Sequence, residues 1–433
     1  MDAQPSTDEA QASAGDSIDL VGGAWGVLES DPGVFTCLLR NLGVSGCEIH
    51  EVRSIEEDLD DRGPVHALIL CYPWMQDHHR QDDFTDLDQT NIYFANQLIT
   101  DACATQAILN VVFNCPQIDV GDRLAGFKEF TQEFSSPMKG LAVTNDPFLR
   151  ITHNALARPS DIRAANYAAA VDFDPNRPRK KRKRSKDESD EMTYHFIAYV
   201  PIDGKVFELD GLKSGPLEVG EIDADETWID IVRPAIRLKM KNCAVRGDGR
   251  FNLLAVGEDQ YQRRWDELEL LRRVKRALER RLHEAYGPAW QEQVDPELLE
   301  STDTIFPDPP ISHTFDPSFG SLLMPKQMAI LDLPVEDLVP QWNTCIASAL
   351  PAKILLDEEL DKAKAWASEN IKRTHDYEPF IKAYISRLSA EGLLNNLLGL
   401  DEVGEGQATS ETAGVSSRGR GRPRGKGKAR GSG

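Results

Sequence analysis

Asn96-Gln97-Leu98-Ile99-Thr100-Asp101-Ala102-Cys103-Ala104-Thr105-Gln106-Ala107-Ile108 places a polar amide six residues before a cysteine. That cysteine opens a mostly apolar run from Ala102 to Val112, long enough for three helical turns. A cysteine in the first turn of a helix faces the positive end of the macrodipole and the unpaired N–H groups there. Both lower its pKa and favour the thiolate, the form that attacks carbonyls. Gln97, in the turn before, is placed to donate its side-chain N–H to an oxyanion forming at such a carbonyl. Taken alone, a cysteine at a helix start also fits a small buried hydrophobe.

A second stretch, about ninety residues downstream, bears on that choice. Tyr194-His195-Phe196-Ile197-Ala198-Tyr199-Val200-Pro201 reads as a strand, Asp203-Gly204 as a hairpin turn, and Lys205-Val206-Phe207-Glu208-Leu209-Asp210-Gly211 as the returning strand. His195 opens the first strand and Asp210 closes the second, so antiparallel pairing sets them side by side. That is the geometry in which a carboxylate fixes an imidazole's tautomer and orientation. An ordinary hairpin with a polar residue at each end would look the same. Together Cys103, His195 and Asp210 form a thiol-hydrolase set, with Gln97 for the oxyanion.

These residues resemble the ubiquitin carboxyl-terminal hydrolase (UCH) family of papain-like cysteine proteases. Carrying the resemblance are the Gln97 to Cys103 spacing, the Ala102–Gln106 core and the His195 to Asp210 spacing. Further matches are Trp25-Gly26-Val27-Leu28-Glu29-Ser30-Asp31-Pro32-Gly33-Val34-Phe35, Phe127-Lys128-Glu129-Phe130 and Arg250-Phe251-Asn252-Leu253. The match runs from about Ala24 to Ala255. Glu369-Asn370-Ile371-Lys372-Arg373-Thr374-His375-Asp376-Tyr377-Glu378-Pro379-Phe380-Ile381 resembles the C-terminal segment of the longer branch, whose members work on the proteasome and in chromatin complexes.

The resemblance implies an α+β catalytic domain, a central antiparallel sheet flanked by helices with a crossover loop over the cleft, followed by a helical C-terminal docking region. It implies hydrolysis of the amide after ubiquitin's C-terminal glycine. Cys103 would be the nucleophile, His195 the general acid/base and Asp210 its orienting partner, with Gln97 and the Cys103 backbone N–H for the oxyanion. It implies no metal or cofactor, and a cysteine and histidine that can sit misaligned until ubiquitin binds. A helical adaptor of the proteasome or of a chromatin complex would dock at Asn370, Arg373, His375, Tyr377, Phe380 and Ile381. Two competing classes are a docking subunit that holds ubiquitin without cleaving it, and a chromatin adaptor whose DNA contacts matter more than its protease.

Composition sets the remaining bounds. At 433 residues the chain accommodates two domains and tails. It has no run of eighteen apolar residues to span a membrane and no signal-peptide pattern at Met1–Glu9. Its 7 cysteines are scattered and form no CxxC pair, which argues for a reducing compartment. Set aside the basic runs Arg177–Lys186 and Arg418–Arg430, and the net charge falls from −22 to −37. An acidic body favours a basic protein partner such as ubiquitin and leaves nucleic-acid contact to those two runs.

Along the chain, 1–20 read as a flexible tail, 21–256 as the catalytic domain and Val65–Tyr72 as a central strand. Helical patterns cover 97–114, 122–134 and 145–157. His78-His79 with Asp77, Asp82 and Asp83 have metal-ligand residue types without an i, i+4 scaffold, and read as a solvated loop. The basic stretch 158–193 reads as the crossover loop. Within it, Arg179, Lys180, Lys181, Arg182, Lys183 and Arg184 form a nuclear import signal, so the protein is expected in nucleus and cytoplasm. An amphipathic helix fills Asp259–Tyr286, within 257–302, and the proline-bearing 303–340 reads as a linker. Two amphipathic helices, separated near His375–Pro379, make a docking domain over 341–400. Truncation near Asp332 is therefore expected to leave a folded, active enzyme. In the tail 401–433, Arg420-Gly421-Arg422-Pro423-Arg424 resembles an AT-hook core, whose extended backbone lies in the narrow minor groove of A·T-rich DNA.

Overall fold

The computed structural model describes residues 23–398, apart from 57–58, 60–62, 75–78, 80–82, 86–90, 173–193, 246–250, 309 and 311–312. The import run Arg179–Arg184, the AT-hook-like Arg420–Arg424, and Asp77, His78 and Asp82 lie outside the described residues. Among the described residues no cluster of metal-ligating side chains occurs, and no helix is long and apolar enough to cross a membrane.

The apolar run at Val65 forms β2 (Val65–Pro73), with β3 (Tyr194–Ile202) on one side and β6 (Asn252–Glu258) on the other. With β1 (Cys47–Glu51), β4 (Lys205–Leu209) and β5 (Leu217–Glu221) these make one sheet ordered β1-β6-β2-β3-β4-β5, antiparallel throughout. The β3–β4 turn is Asp203-Gly204, with φ of 49° and 77°, the left-handed pair that a two-residue hairpin of this twist requires.

Strand alternation divides β2 between two cores. Ile69 and Cys71 join a core under the helices α1 (Pro32–Asn41) and α2 (Cys103–Val112), while Leu68, Leu70 and Tyr72 face a second core. Because both faces are covered, the strand reads as a continuous apolar run. On the first side α3 (Gly121–Phe130), α4 (Ser136–Asn145) and α5 (Pro147–Asn154) follow α2. Asp31 and Asp146 cap α1 and α5 and are each followed by proline at the first helical position, where its missing N–H costs nothing. The stretch read as a loop from residue 158 begins instead with α6 (Pro159–Asp172). Large apolar residues are scarce there, but alanine has the highest helix propensity and dominates Ala164–Ala170. The second core lies under α7 (Trp228–Val245), with Val232 and Ile236 fully buried.

A third core belongs to a helical module. The predicted stripe of α8 (Gln260–Tyr286) buries Trp265, Leu268, Leu278 and Leu282. It packs on α10 (Phe319–Leu331) and the N-terminal half of α11 (Val335–Thr374), and α9 (Pro296–Ile305) joins the same core against α11. This corrects the linker reading of 303–340. Pro325 and Pro340 lie inside helices, where the lost hydrogen bond is offset by burial of Leu323, Leu338 and Trp342. Trp342 is wholly buried, and its removal alone would cost on the order of 3–5 kcal/mol. A cut near Asp332 would strip α11 from α8, so the expectation for that truncation is withdrawn; Asp376 is the compact unit's last residue.

The far half of α11 lies on the catalytic domain. Trp366 packs on Gly33, where an added Cβ would come within 2.7 Å of its ring. Asn370 Nδ2 donates to the Gly33 carbonyl at 3.5 Å, and Arg373 Nε donates to Glu29 at 2.8 Å. Lys362 reaches the buried Glu48 of β1 at 3.0 Å; burial pushes that carboxyl up to about 7, with Lys362 pulling the other way. Two residues expected to meet an adaptor, Asn370 and Arg373, are therefore engaged within the chain. The second compact unit starts at Tyr377 and holds α12 (Glu378–Ala390) and α13 (Leu393–Leu397). Neither helix buries a residue: Phe380 is 69% exposed, and Ile381, Tyr384, Ile385 and Leu397 are exposed with it. His375 caps the end of α11.

Candidate active site

Cys103 is the first residue of α2, after a short 3-10 turn at Thr100–Ala102, so Gln97 lies on the extended segment before the helix and not in it. The backbone N–H of Cys103 is among the first-turn donors that have no intrahelical acceptor. The sulfur does not show the lowered pKa expected from that position. Burial pushes the thiol up to about 12, outweighing the backbone N–H groups of Phe196 and Ala104 that favour its thiolate.

Phe196 follows His195 on β3, so the N–H that meets the sulfur belongs to the peptide joining the two residues. His195 Nε2 pairs with Asp210 Oδ1 at 2.7 Å, both side chains being almost inaccessible. Burial alone would raise the Asp210 carboxyl. The His195 hydrogen bond and charge, the Leu212 N–H and the Lys213 ammonium reverse that and hold it below the usual carboxylate range. With Nε2–H given to the carboxylate, Nδ1 carries the lone pair that can take a proton. Tyr72, opposite His195 in the β2–β3 register, meets the imidazole edge-on at 6.2 Å.

The Gln97 segment is held on three sides by residues the sequence reading did not single out. Gln97 N–H donates to the Gly211 carbonyl at 2.7 Å, tying it to the residue after Asp210. Asn96 Nδ2 donates to the Lys213 carbonyl at 2.7 Å, and Gln106 Nε2 to the Ala95 carbonyl at 2.6 Å. Beneath them, a Cβ on Gly140 of α4 would run into the Asn96 carbonyl oxygen. Gly140→Ala is therefore expected to lower stability by about 1–3 kcal/mol and turnover about tenfold, since the Gln97 segment must move. Thermal melting with turnover on one preparation checks both.

His153 on α5 is the other residue that the sequence did not reveal. It is fully buried, pairs with Thr105 Oγ1 at 2.7 Å and the Gly26 carbonyl at 2.7 Å, and meets Trp25 edge-on at 4.9 Å. It thus pins α2, two residues beyond Cys103, to the N-terminal segment. Burial lowers its pKa from 6.5 to about 4, partly opposed by the Gly26 carbonyl. Its neutral form is the folded one, so the stability it confers is full above pH 6.5 and falls as protons bind the unfolded chain between 6.5 and 4. Glu48 acts in the opposite direction over a similar range, so wild type must be compared with His153→Gln. The stability difference between the two should shrink by about 2 kcal/mol from pH 7.5 to pH 5, read by urea unfolding.

A buried carboxylate–imidazole pair, a helix-start cysteine against the same strand and an amide-bearing segment beside them define a papain-like cysteine peptidase. Comparison with known proteins makes the class specific. The sequence model described as ubiquitin carboxyl-terminal hydrolase, family 1, matches residues 25–241, and a second, described as ubiquitin carboxyl-terminal hydrolases, matches 351–394. Ubiquitin carboxyl-terminal hydrolase isozyme L5 of Dictyostelium discoideum is 31% identical over 375 residues, 86% of this chain and 94% of that protein. The hydrolase ubh-4 of Caenorhabditis elegans is 35% identical over 257 residues, 58% of this chain and 71% of its own. The hydrolase BAP1 of Xenopus tropicalis is 36% identical over 262 residues, 57% of this chain but 36% of its own length. Among solved structures, the UCH37 catalytic domain of Trichinella spiralis bound to ubiquitin vinyl methyl ester is 30% identical, with a TM-score of 0.44 over 56% of this chain and 99% of that one.

The chain belongs to the ubiquitin carboxyl-terminal hydrolase family, in its longer branch with a C-terminal extension. It is a cysteine-type deubiquitinase.

Proposed function

We propose that Cys103, His195, Asp210 and Gln97 carry the reaction, hydrolysis of the amide or isopeptide bond after ubiquitin's C-terminal glycine. The supporting observation is the buried 2.7 Å His195–Asp210 pair, whose strand also supplies the N–H against the Cys103 sulfur. As sulfur bonds to the glycine carbonyl carbon, its proton passes to His195 Nδ1. The oxyanion takes hydrogen bonds from the Gln97 side chain and the Cys103 backbone N–H. His195 returns the proton to the departing amine as the C–N bond breaks. It then takes a proton from the water that cleaves the thioester, leaving ubiquitin's carboxylate and the free thiol. Burial favours the protonated thiol, so the proton transfer to His195 Nδ1 belongs to the attack step. A ubiquitin C-terminal electrophile should label Cys103 and fail on Cys103→Ser; labelling at another cysteine would overturn the assignment.

The C-terminal unit is proposed to dock a helical adaptor carried by the proteasome or a chromatin complex. Supporting this is the exposed apolar face of α12 and α13, with Tyr377, Phe380, Ile381 and Tyr384 on it. Asn370 and Arg373 hold α11 to the catalytic domain instead. The basic tail is proposed to contact A·T-rich DNA through Arg420, Gly421, Arg422, Pro423 and Arg424. The Arg179–Arg184 run is proposed to direct nuclear import from the cytoplasm. One experiment separates the two C-terminal readings: tagged chains ending at Asp376, at 400 and at Gly433 are purified from cells and tested on A·T and G·C duplexes. Ending at 400 should abolish A·T-preferring binding and spare the adaptor, and ending at Asp376 should lose both. An adaptor retained by the shortest chain would refute the docking face.

A further inference from the structure

We infer that Lys213 is a positioning residue for hydrolysis. It seats the turn Asp210–Lys213 on the buried carboxylate of Glu208, and so holds the acid–base pair and the oxyanion segment in one register. The inference rests on the roles proposed above for Asp210 and Gln97.

Glu208 of β4 is 3% exposed, and its carboxylate gathers three donors. Oε1 accepts from Lys213 Nζ at 2.9 Å and lies 3.0 Å from Lys239 Nζ of α7, while Oε2 accepts the Tyr199 hydroxyl at 2.9 Å. The Lys213 side chain is itself only 8% exposed. A charge buried to that degree stays where its partner is, because moving away leaves both ions unpaired in a poor solvent. The ammonium therefore anchors its own backbone.

That backbone touches both halves of the site. Lys213 N–H donates to the Asp210 carbonyl at 2.9 Å and closes the turn, within which Leu212 N–H donates to Asp210 Oδ1 at 3.0 Å. The Lys213 carbonyl accepts Asn96 Nδ2 at 2.7 Å, and Gly211 in the same turn accepts Gln97 N–H at 2.7 Å. Gly211 approaches Gln97 so closely that an added Cβ would lie 2.9 Å from the Gln97 Cβ. Displacing Lys213 would loosen the carboxylate that orients His195 and the amide that meets the oxyanion, the two groups whose geometry the transition state reads. Lys239 and Tyr199 would still satisfy Glu208, so the clamp can be removed without leaving a bare buried carboxylate.

The test is steady-state kinetics on a ubiquitin C-terminal amide, using the full chain. Lys213→Met, nearly the same length without the charge, should lower kcat about tenfold to a hundredfold with KM within about twofold. Lys213→Arg, which keeps the charge, should recover most of it. In a Gln97→Ala background the further loss from Lys213→Met should be smaller by about threefold or more, because the part acting through the Gln97 segment is already gone while the part acting through Asp210 remains. Should Lys213→Met not fold, Glu208→Gln is read in the same two backgrounds against the same outcomes. Wild-type kcat in Lys213→Met, or an equal loss in both backgrounds, overturns the inference while leaving the catalytic assignment intact. A Gln97→Ala enzyme with unchanged kcat takes down the oxyanion assignment and this inference with it.

Discussion

Cys103→Ser is expected to lower turnover of a ubiquitin C-terminal amide by about 10⁴-fold or more while ubiquitin still binds. An alkoxide is far harder to form than a thiolate, and the site does little to help either. Burial pushes the native thiol up to about 12, and in the proposed route its proton passes to His195 during attack. The hydroxyl occupies nearly the same volume at the start of α2, so the binding surface is unchanged. Calorimetric titration with ubiquitin, beside single-turnover kinetics, separates the two effects. A variant with ordinary turnover would mean another residue is the nucleophile.

Asp210→Asn should retain a small activity, lower on the order of a hundredfold or more, because both reacting groups remain. Asp210 Oδ1 accepts from His195 at 2.7 Å and from Leu212 N–H at 3.0 Å. An asparagine oxygen can keep those hydrogen bonds but carries no charge to stabilise the imidazolium formed when the thiol proton arrives. If the amide turns over, its NH2 faces Nε2 and drives the proton to Nδ1, removing the lone pair that accepts from the thiol. Comparison of kcat for the wild type and variant at matched ubiquitin saturation decides it. Unchanged kcat would mean that the carboxylate does not orient His195.

Much of the site was legible because the elements involved are local. The β3–β4 hairpin has a two-residue Asp-Gly turn, which fixes its register. The ladder ends with Ala198 opposite Leu209, and counting one step further sets Asp210 opposite Ile197, two residues along β3 from His195. The sequence thus brought the two near each other but not directly opposite. Cys103 at a helix start followed from the apolar run after it. Its pKa did not, since dipole and capping act locally whereas the dominating cost is burial, which depends on what the rest of the chain packs over the sulfur. The same holds for Asn96, Gly140, Gly211 and His153. Each contacts a residue far away in sequence, and as isolated letters they are common loop and helix residues.

The linker reading failed for a related reason. Prolines at 325 and 340 break a helix in isolation, but α10 and α11 gain more from burying Leu323, Leu338 and Trp342 than they lose at those positions. Asn370 and Arg373 show the reverse: their polarity suggested an outside partner, and the folded chain supplies Gly33 and Glu29.

By itself the sequence determined the class of fold, the hairpin that brings His195 near Asp210, the cysteine at the head of its helix and the amphipathic stripe of α8. These are set by periodicity and turn chemistry over a few residues. Only the tertiary structure decided that burial raises the thiol's pKa, that the Gln97 segment is clamped by Gly211 and Lys213, and that α11 belongs half to a helical core and half to the catalytic domain. Those outcomes depend on burial and on pairings between distant segments, whose energies exist only once the chain has closed on itself.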